Sequence, residues 1–203
     1  MLASTSRYRK ALLGRLGLPF ETQSPDVDES PLEGETPAAT AGRLAEAKAR
    51  AVAARYARAL VIGSDQVADA GGVAIGKPGD HAGAIAQLSA LSGRSVVFHT
   101  AVALVDAQSR RCQLRLVDVI TTFRTLTPAA IEDYLRRENP YDCAGSIRSE
   151  GLGIALVEAI ASEDPTALIG LPLIAVTDLL QAEGVEVLGW PARGSSTSAR
   201  DAG

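Results

Sequence analysis

The run Ala59-Leu60-Val61-Ile62-Gly63 restricts the fold more than any other feature of the chain. Five consecutive apolar residues suit a strand buried on both faces, and such strands belong to sheets covered by helices on both sides. The run ends in Ser64-Asp65-Gln66, so polar groups follow directly on a buried strand. Ligands of α/β sheets gather at the carboxyl ends of strands, which makes Asp65 the first candidate for chemistry. Helical spacing of Leu44, Ala47, Ala51 and Ala54 predicts a helix over 40–56 just before this strand. Further along, the pattern predicts helices over 81–91, 128–137 and 172–183, and strands over 95–105, 114–123 and 151–157. A first helix with Leu12, Leu13 and Leu16 on one side ends at Gly17 and Pro19. The alternation reads as one α/β domain over 1–189, followed by a Gly-, Ser-, Ala- and Arg-rich tail over 190–203 expected to be disordered.

Charge narrows the function classes. The 203 residues carry 24 acidic and 20 basic side chains, a formal net charge of −4, which argues against a broad nucleic-acid surface. Any anion must therefore be met by a few placed cations. No apolar stretch approaches the roughly 20 residues of a membrane-spanning helix. Cys112 and Cys143 show no metal-type spacing, so a cytoplasmic, reducing location is expected.

Three groups of residues carry possible chemistry. Ser4-Thr5-Ser6 leads into a helix whose first turns hold Arg9 and Lys10. A helix N-terminus offers free N–H groups and partial positive charge, so basic residues there conflict with the dipole unless an anion such as phosphate is bound. An N-capped helix with a solvated basic face explains the same residues without a ligand. Asp26, Asp28 and Glu29 form an acidic segment before Pro31, and a carboxylate from there with Asp65 suits a hard divalent cation. A solvated acidic loop is the plainer reading of that segment, and a turn or cap that of Asp65. The third group is the lysines. Only Lys10, Lys48 and Lys77 occur, against seventeen arginines, and Lys77 is fixed between Gly76 and Pro78. Compact point charges are wanted at those places. His81 and His99 stand apart as loop or core residues, and Cys143 beside Ala144 reads as a small packing residue.

Together the segments resemble the Maf nucleotide pyrophosphatases. The resemblance rests on residues 2–13, Val27-Asp28-Glu29, residues 43–49, Ile62-Gly63-Ser64-Asp65-Gln66-Val67, Gly76-Lys77-Pro78, residues 143–151 and residues 168–173, in order over 2–188. It implies a mixed, elongated central sheet flanked by helices, with a cleft between two lobes. It implies hydrolysis of a nucleoside triphosphate between the α and β phosphates. On that reading Ser4, Arg9, Lys10, Lys48 and Lys77 cradle the triphosphate, Glu29 and Asp65 hold a divalent cation (Mg or Mn), and Asp65 accepts the proton of the attacking water. A homodimer is a further expectation. Relatives carry more apolar residues before the Leu-Ala-Ser motif, so either the first strand here is very short or the native chain starts upstream of Met1, and the longer N-terminus is the expectation.

Substrate choice follows from Tyr8, Gln66 and Glu150. The branch of the family acting on dTTP and UTP has arginine at the place of Tyr8, a threonine-type residue at that of Gln66 and glutamine at that of Glu150. The residues here resemble the branch associated with 7-methyl-GTP, although that branch often has tryptophan at the first place. A 7-methylated guanine is cationic, and a ring such as Tyr8 gains about 0.5–2 kcal/mol by stacking on a cation. Glu150 as a carboxylate accepts from the two adjacent N–H groups of guanine, while a pyrimidine offers a single N–H flanked by carbonyls. The expected function is a 7-methyl-GTP pyrophosphatase. A pyrophosphatase for dTTP, UTP or another modified nucleotide, or a nucleotide-binding regulator of septum formation, are the alternatives.

Overall fold

The computed structural model describes residues 1–190. All but the first residue of the expected tail lies outside them. The elements in order are β1 (Leu2–Ala3), α1 (Arg7–Gly14), β2 (Thr22–Gln23), α2 (Pro37–Ala53), β3 (Leu60–Asp69), β4 (Ala74–Ile75), α3 (His81–Leu91), β5 (Ser95–Asp106), β6 (Cys112–Phe123), α4 (Pro128–Glu138), β7 (Val157–Ala161) and α5 (Leu173–Ala182). Local chemistry sets their starts. Ser6, Thr36, Asp80 and Thr127 cap α1 to α4, each side-chain oxygen accepting from the backbone N–H three residues on. Pro37 and Pro128 open α2 and α4, where a missing N–H costs nothing.

The strands form one mixed sheet in the order β2-β1-β3-β5-β6-β7, with β4 paired to β3. β1 runs parallel to β2 and β3, and every other pairing is antiparallel. β5 and β6 have 12 residues each, so they span about 40 Å and carry two lobes on one sheet. On one face, Ile62, Val102 and Leu104 pack under α1 and α5, while Ala68, Val96, Phe98, Val119 and Phe123 pack under α3 and α4. On the other face α2 covers Val61, Ala101, Ala103 and Val105. Mixed topology, helices on both faces and a cleft between two packed clusters are the architecture the sequence predicts.

Two local expectations need correction. Asp65 does not end its strand, because β3 continues to Asp69, paired with β5 throughout. The apolar run marked only the part of β3 buried on both faces. Its partner β1 stops at Ala3, opposite Gly63, and pairing with β4 starts only at Ala68, opposite Ile75. From Ser64 to Val67 the strand therefore keeps its β5 ladder while its other edge is unpaired. The second correction concerns residues 151–157. Leu152–Leu156 is a 3₁₀ turn, and β7 starts only at Val157. Glu138 accepts from the Leu152 N–H at 2.8 Å, and Gly153 N–H donates to the Arg148 carbonyl at 3.0 Å. These contacts hold the segment coiled although its composition suits a strand.

Candidate active site

Where β1 ends and the β3 edge lies bare, a cleft of about 890 Å³ opens between the lobes. That volume falls in the range of about 300–1,000 Å³ typical of small-molecule sites. Strand alternation sends Asp65 to the α2 face and Ser64 and Gln66 to the opposite one, and the bare edge lets the cleft reach both. Ser4, Tyr8, Arg9, Glu29, Lys48, Asp65, Gln66, Lys77 and Glu150 all line it. Lys10 does not. It is exposed on α1, one position past Arg9, and the turn of the helix carries it away from the cleft.

Gly63 sets the position of α2. A Cβ there would stand 2.5 Å from the Ala49 nitrogen and 2.9 Å from the Ala49 methyl, so only glycine permits this approach. The close contact delivers Lys48 to Asp65, with Nζ donating to Oδ1 at 2.7 Å. Glu29 Oε1 lies 2.7 Å from the same ammonium. Lys48 and Asp65 are buried, which strengthens the pairing, while Glu29 closes it from a more exposed loop. Burial pushes the Glu29 carboxyl up. The Lys48 hydrogen bond and charge, helped by Lys77 and Arg9, outweigh that and hold it below its ordinary value.

The loop bearing Glu29 is itself tied to α2. Arg43 donates to both Glu35 oxygens, at 2.6 and 2.8 Å, and to the Ser30 carbonyl at 3.1 Å. Thr40 donates to Glu35 at 2.9 Å. Across the cleft the turn Ala167–Ile169 and Gly170 present carbonyls inward. Arg9 Nε and Ser64 Oγ both donate to Gly170 O, at 2.9 and 3.0 Å. Burial pulls the Arg9 guanidinium below its ordinary value, opposed by the charges of Asp65 and Glu29. Gln66 Nε2 donates to Thr100 Oγ1, Ala167 O and Leu168 O at 2.9, 2.9 and 3.1 Å. The donor end of that amide is thus committed to the protein, leaving its oxygen for a ligand.

The part of the cleft around Tyr8 is aromatic and carries charges of both signs. Tyr8 has the Arg7 guanidinium carbon 4.7 Å and that of Arg148 5.8 Å from its ring centre. Arg148 is held by Glu138 at 3.0 Å and Glu150 at 3.3 Å. Arg9, Lys48 and Lys77 line the cleft together with Glu29 and Asp65, and Tyr8 lines it with Arg7, Asp142 and Glu150.

A family model described as Maf-like protein matches residues 1–183. The chain belongs to the Maf family. Among its relatives, a protein named 7-methyl-GTP pyrophosphatase from Thiobacillus denitrificans is 58% identical over 95% of this chain and 96% of its own length. Proteins of the same name from Albidiferax ferrireducens and Burkholderia pseudomallei are 57% and 58% identical. They cover 93% and 95% of this chain and 95% and 91% of their own lengths.

Within this Maf chain no group of three or more His, Cys, Asp or Glu side chains converges among the described residues. Glu29 and Asp65 both bond the Lys48 ammonium at 2.7 Å, so the two carboxylates stand close enough to share a cation, and hard divalent ions commonly take one or two carboxylates plus phosphate oxygens. Cys143 lines the cleft beside Tyr8 and Asp142, and burial raises its thiol to about 11, which keeps it protonated. His81 bonds Tyr141 and Glu132, and His99 lies between Asp69 and Asp118, both away from the cleft lining. Sequence reasoning missed Arg7, Asp142 and Arg148 around Tyr8. Asp142 is 134 residues from Tyr8 and carries no local pattern; only its place beside the Cys143 motif hinted at it.

Proposed function

We propose that this Maf protein hydrolyses 7-methyl-GTP to 7-methyl-GMP and diphosphate. The observation that carries the reading is the cleft lining: Arg9, Lys48 and Lys77 offer cations to phosphates, and the Tyr8 ring already has two guanidinium groups beside it, with Asp142 and Glu150 near. A ring that accepts planar cations suits the charged methylguanine base, and the names of the relatives point the same way. Glu150 meets the N–H edge of guanine, with the free oxygen of Gln66 as a further acceptor.

Ser4, Arg9, Lys48 and Lys77 bind the triphosphate, whose charge of about −4 needs local neutralisation. Glu29 and Asp65 hold a divalent cation, Mg or Mn, which neutralises phosphate charge when bound. Asp65 takes the proton of the attacking water. Its Oδ1 is oriented by Lys48, and its burial keeps solvent from competing. Contacts to the phosphates and to the base fix the α–β linkage against Asp65, which is positioning in place of covalent catalysis. Two unpaired thiols, Cys112 and Cys143, and no described helix long and apolar enough to cross a membrane support a cytoplasmic site of action.

The test is diphosphate release across 7-methyl-GTP, GTP, dTTP and UTP with magnesium or manganese. The expected profile favours 7-methyl-GTP, and Asp65→Asn abolishes turnover while nucleotide still binds. Preference for dTTP or UTP, or no turnover of any triphosphate, overturns the reading.

A further inference from the structure

Arg7 opens α1, and its guanidinium carbon stands 4.7 Å from the centre of the Tyr8 ring. Its Nη2 donates to the Tyr8 hydroxyl at 2.6 Å and lies 3.8 Å from Asp142 Oδ2. The Tyr8 hydroxyl in turn lies 3.5 Å from Asp142 Oδ1. Asp142 belongs to the loop after α4, so a cation and a ring from one lobe meet an anion from the other at the Tyr8 part of the cleft. Apart from its bond to the Tyr8 hydroxyl, the Arg7 guanidinium has no hydrogen-bond partner among the described residues. The Arg7 and Asp142 side chains are 70% and 54% exposed, and the ion pair between them is long. Arg148 differs. It is 34% exposed, lies farther from the ring, and is bound by both Glu138 and Glu150. Of the two cations on Tyr8, Arg7 is the one that can leave.

We infer that Arg7 and Asp142 form an exchangeable ion pair that sets how strongly the site prefers a positively charged base. This rests on the methylated-guanine reading. A 7-methylguanine ring is, like a guanidinium group, a planar delocalised cation, so it replaces Arg7 on the Tyr8 ring and inherits Asp142 as its counter-charge. A neutral guanine also stacks, but gains nothing from the Asp142 charge. Displacing Arg7 costs both bases alike. Once displaced, the arginine stays tethered nearby and repels only the charged one. The two residues therefore act on the same preference with opposite sign.

The experiment compares kcat/KM for 7-methyl-GTP and for GTP in the wild type, Asp142→Asn and Arg7→Gln. Phosphate-end effects are common to both nucleotides and cancel in the ratio. Asp142→Asn is expected to lower the ratio by roughly 3- to 10-fold and Arg7→Gln to raise it by roughly 2- to 5-fold, as fits single screened charges a few ångströms away. Both changes shrink at high salt. Ratios that stay put, or that fall in both variants as a damaged Tyr8 platform would give, overturn the exchange while leaving the methylguanine reading intact. A wild type that does not distinguish 7-methyl-GTP from GTP refutes that reading, and the exchange with it.

Discussion

Gln66 offers a direct measurement of how the cleft floor is held. Its amide nitrogen faces the carbonyls of Ala167 and Leu168 and the hydroxyl oxygen of Thr100. Thr100 spends its own proton on Ala167 O at 3.0 Å, so all three neighbours are acceptors. Gln66→Glu keeps the shape and replaces a double donor by an oxygen facing oxygens. Losing the donors to partly buried carbonyls costs about 1–3 kcal/mol, and the approach of an ionised group raises this toward the upper end. Protonation relieves part of the loss, because the carboxylic acid returns one donor. The introduced group is therefore disfavoured as an anion in the folded state, and its folded pKa lies above its unfolded value. The sign follows: the variant's deficit is largest above the folded pKa and shrinks as pH falls through it toward the unfolded pKa. Urea unfolding of wild type and variant at pH 5 and pH 8 measures this, with unchanged m values as the control. The difference in stability should be greater at pH 8 by about 1–2 kcal/mol. An equal deficit at both pH values would refute the donor argument.

Two further outcomes test how the fold delivers the site. Gly63→Ala forces α2 to retreat by about 1 Å, costing about 1–3 kcal/mol of stability and, through Lys48 and Asp65, up to about 100-fold in turnover; a variant within 0.5 kcal/mol and twofold of wild type, taken as roughly the error of such comparisons, would show that the close approach is not needed. Arg43 holds the Glu35 carboxyl at about 2, below its ordinary 4.5. A depressed folded pKa means this tether contributes fully above the unfolded value and is lost as pH falls from 4.5 toward 2, so carboxyl NMR should show Glu35 titrating near 2 in the wild type and closer to the ordinary value in Arg43→Ala, where the Leu32 N–H and Thr40 hydroxyl still donate to it.

What the sequence makes legible depends on whether the signal is local. The apolar run at 59–63 and the helices over 81–91 and 128–137 rest on neighbours in the chain, and they read correctly, whereas the helix expected over 40–56 starts and ends three residues earlier. The end of β3 does not, because a strand ends where its partners stop pairing and not where its side chains turn polar. Along one face of β3 and β5 the residues run from apolar (Ile62, Val102) to polar (Ser64, Gln66, Thr100) and back to apolar (Ala68, Phe98). The polar stretch looked like a boundary but is the seam between two lobes on a continuous strand. Lys10 misled for a related reason. Charge near a motif was legible, but its direction depends on the helix turn, which sends Arg9 inward and Lys10 out. Gly63 makes the complementary case: a glycine read as the end of an apolar run proves to be the point where helix and sheet touch. The site lies where it does because three terminations coincide there: the end of β1 at Ala3, the start of the β4 pairing at Ala68, and the seam in the core. A bare strand edge that faces no apolar cluster must be met by polar groups or water. That requirement explains why the strand residues that face the cleft with polar groups, Asp65 and Gln66, sit on β3 and not on the fully paired strands beside it.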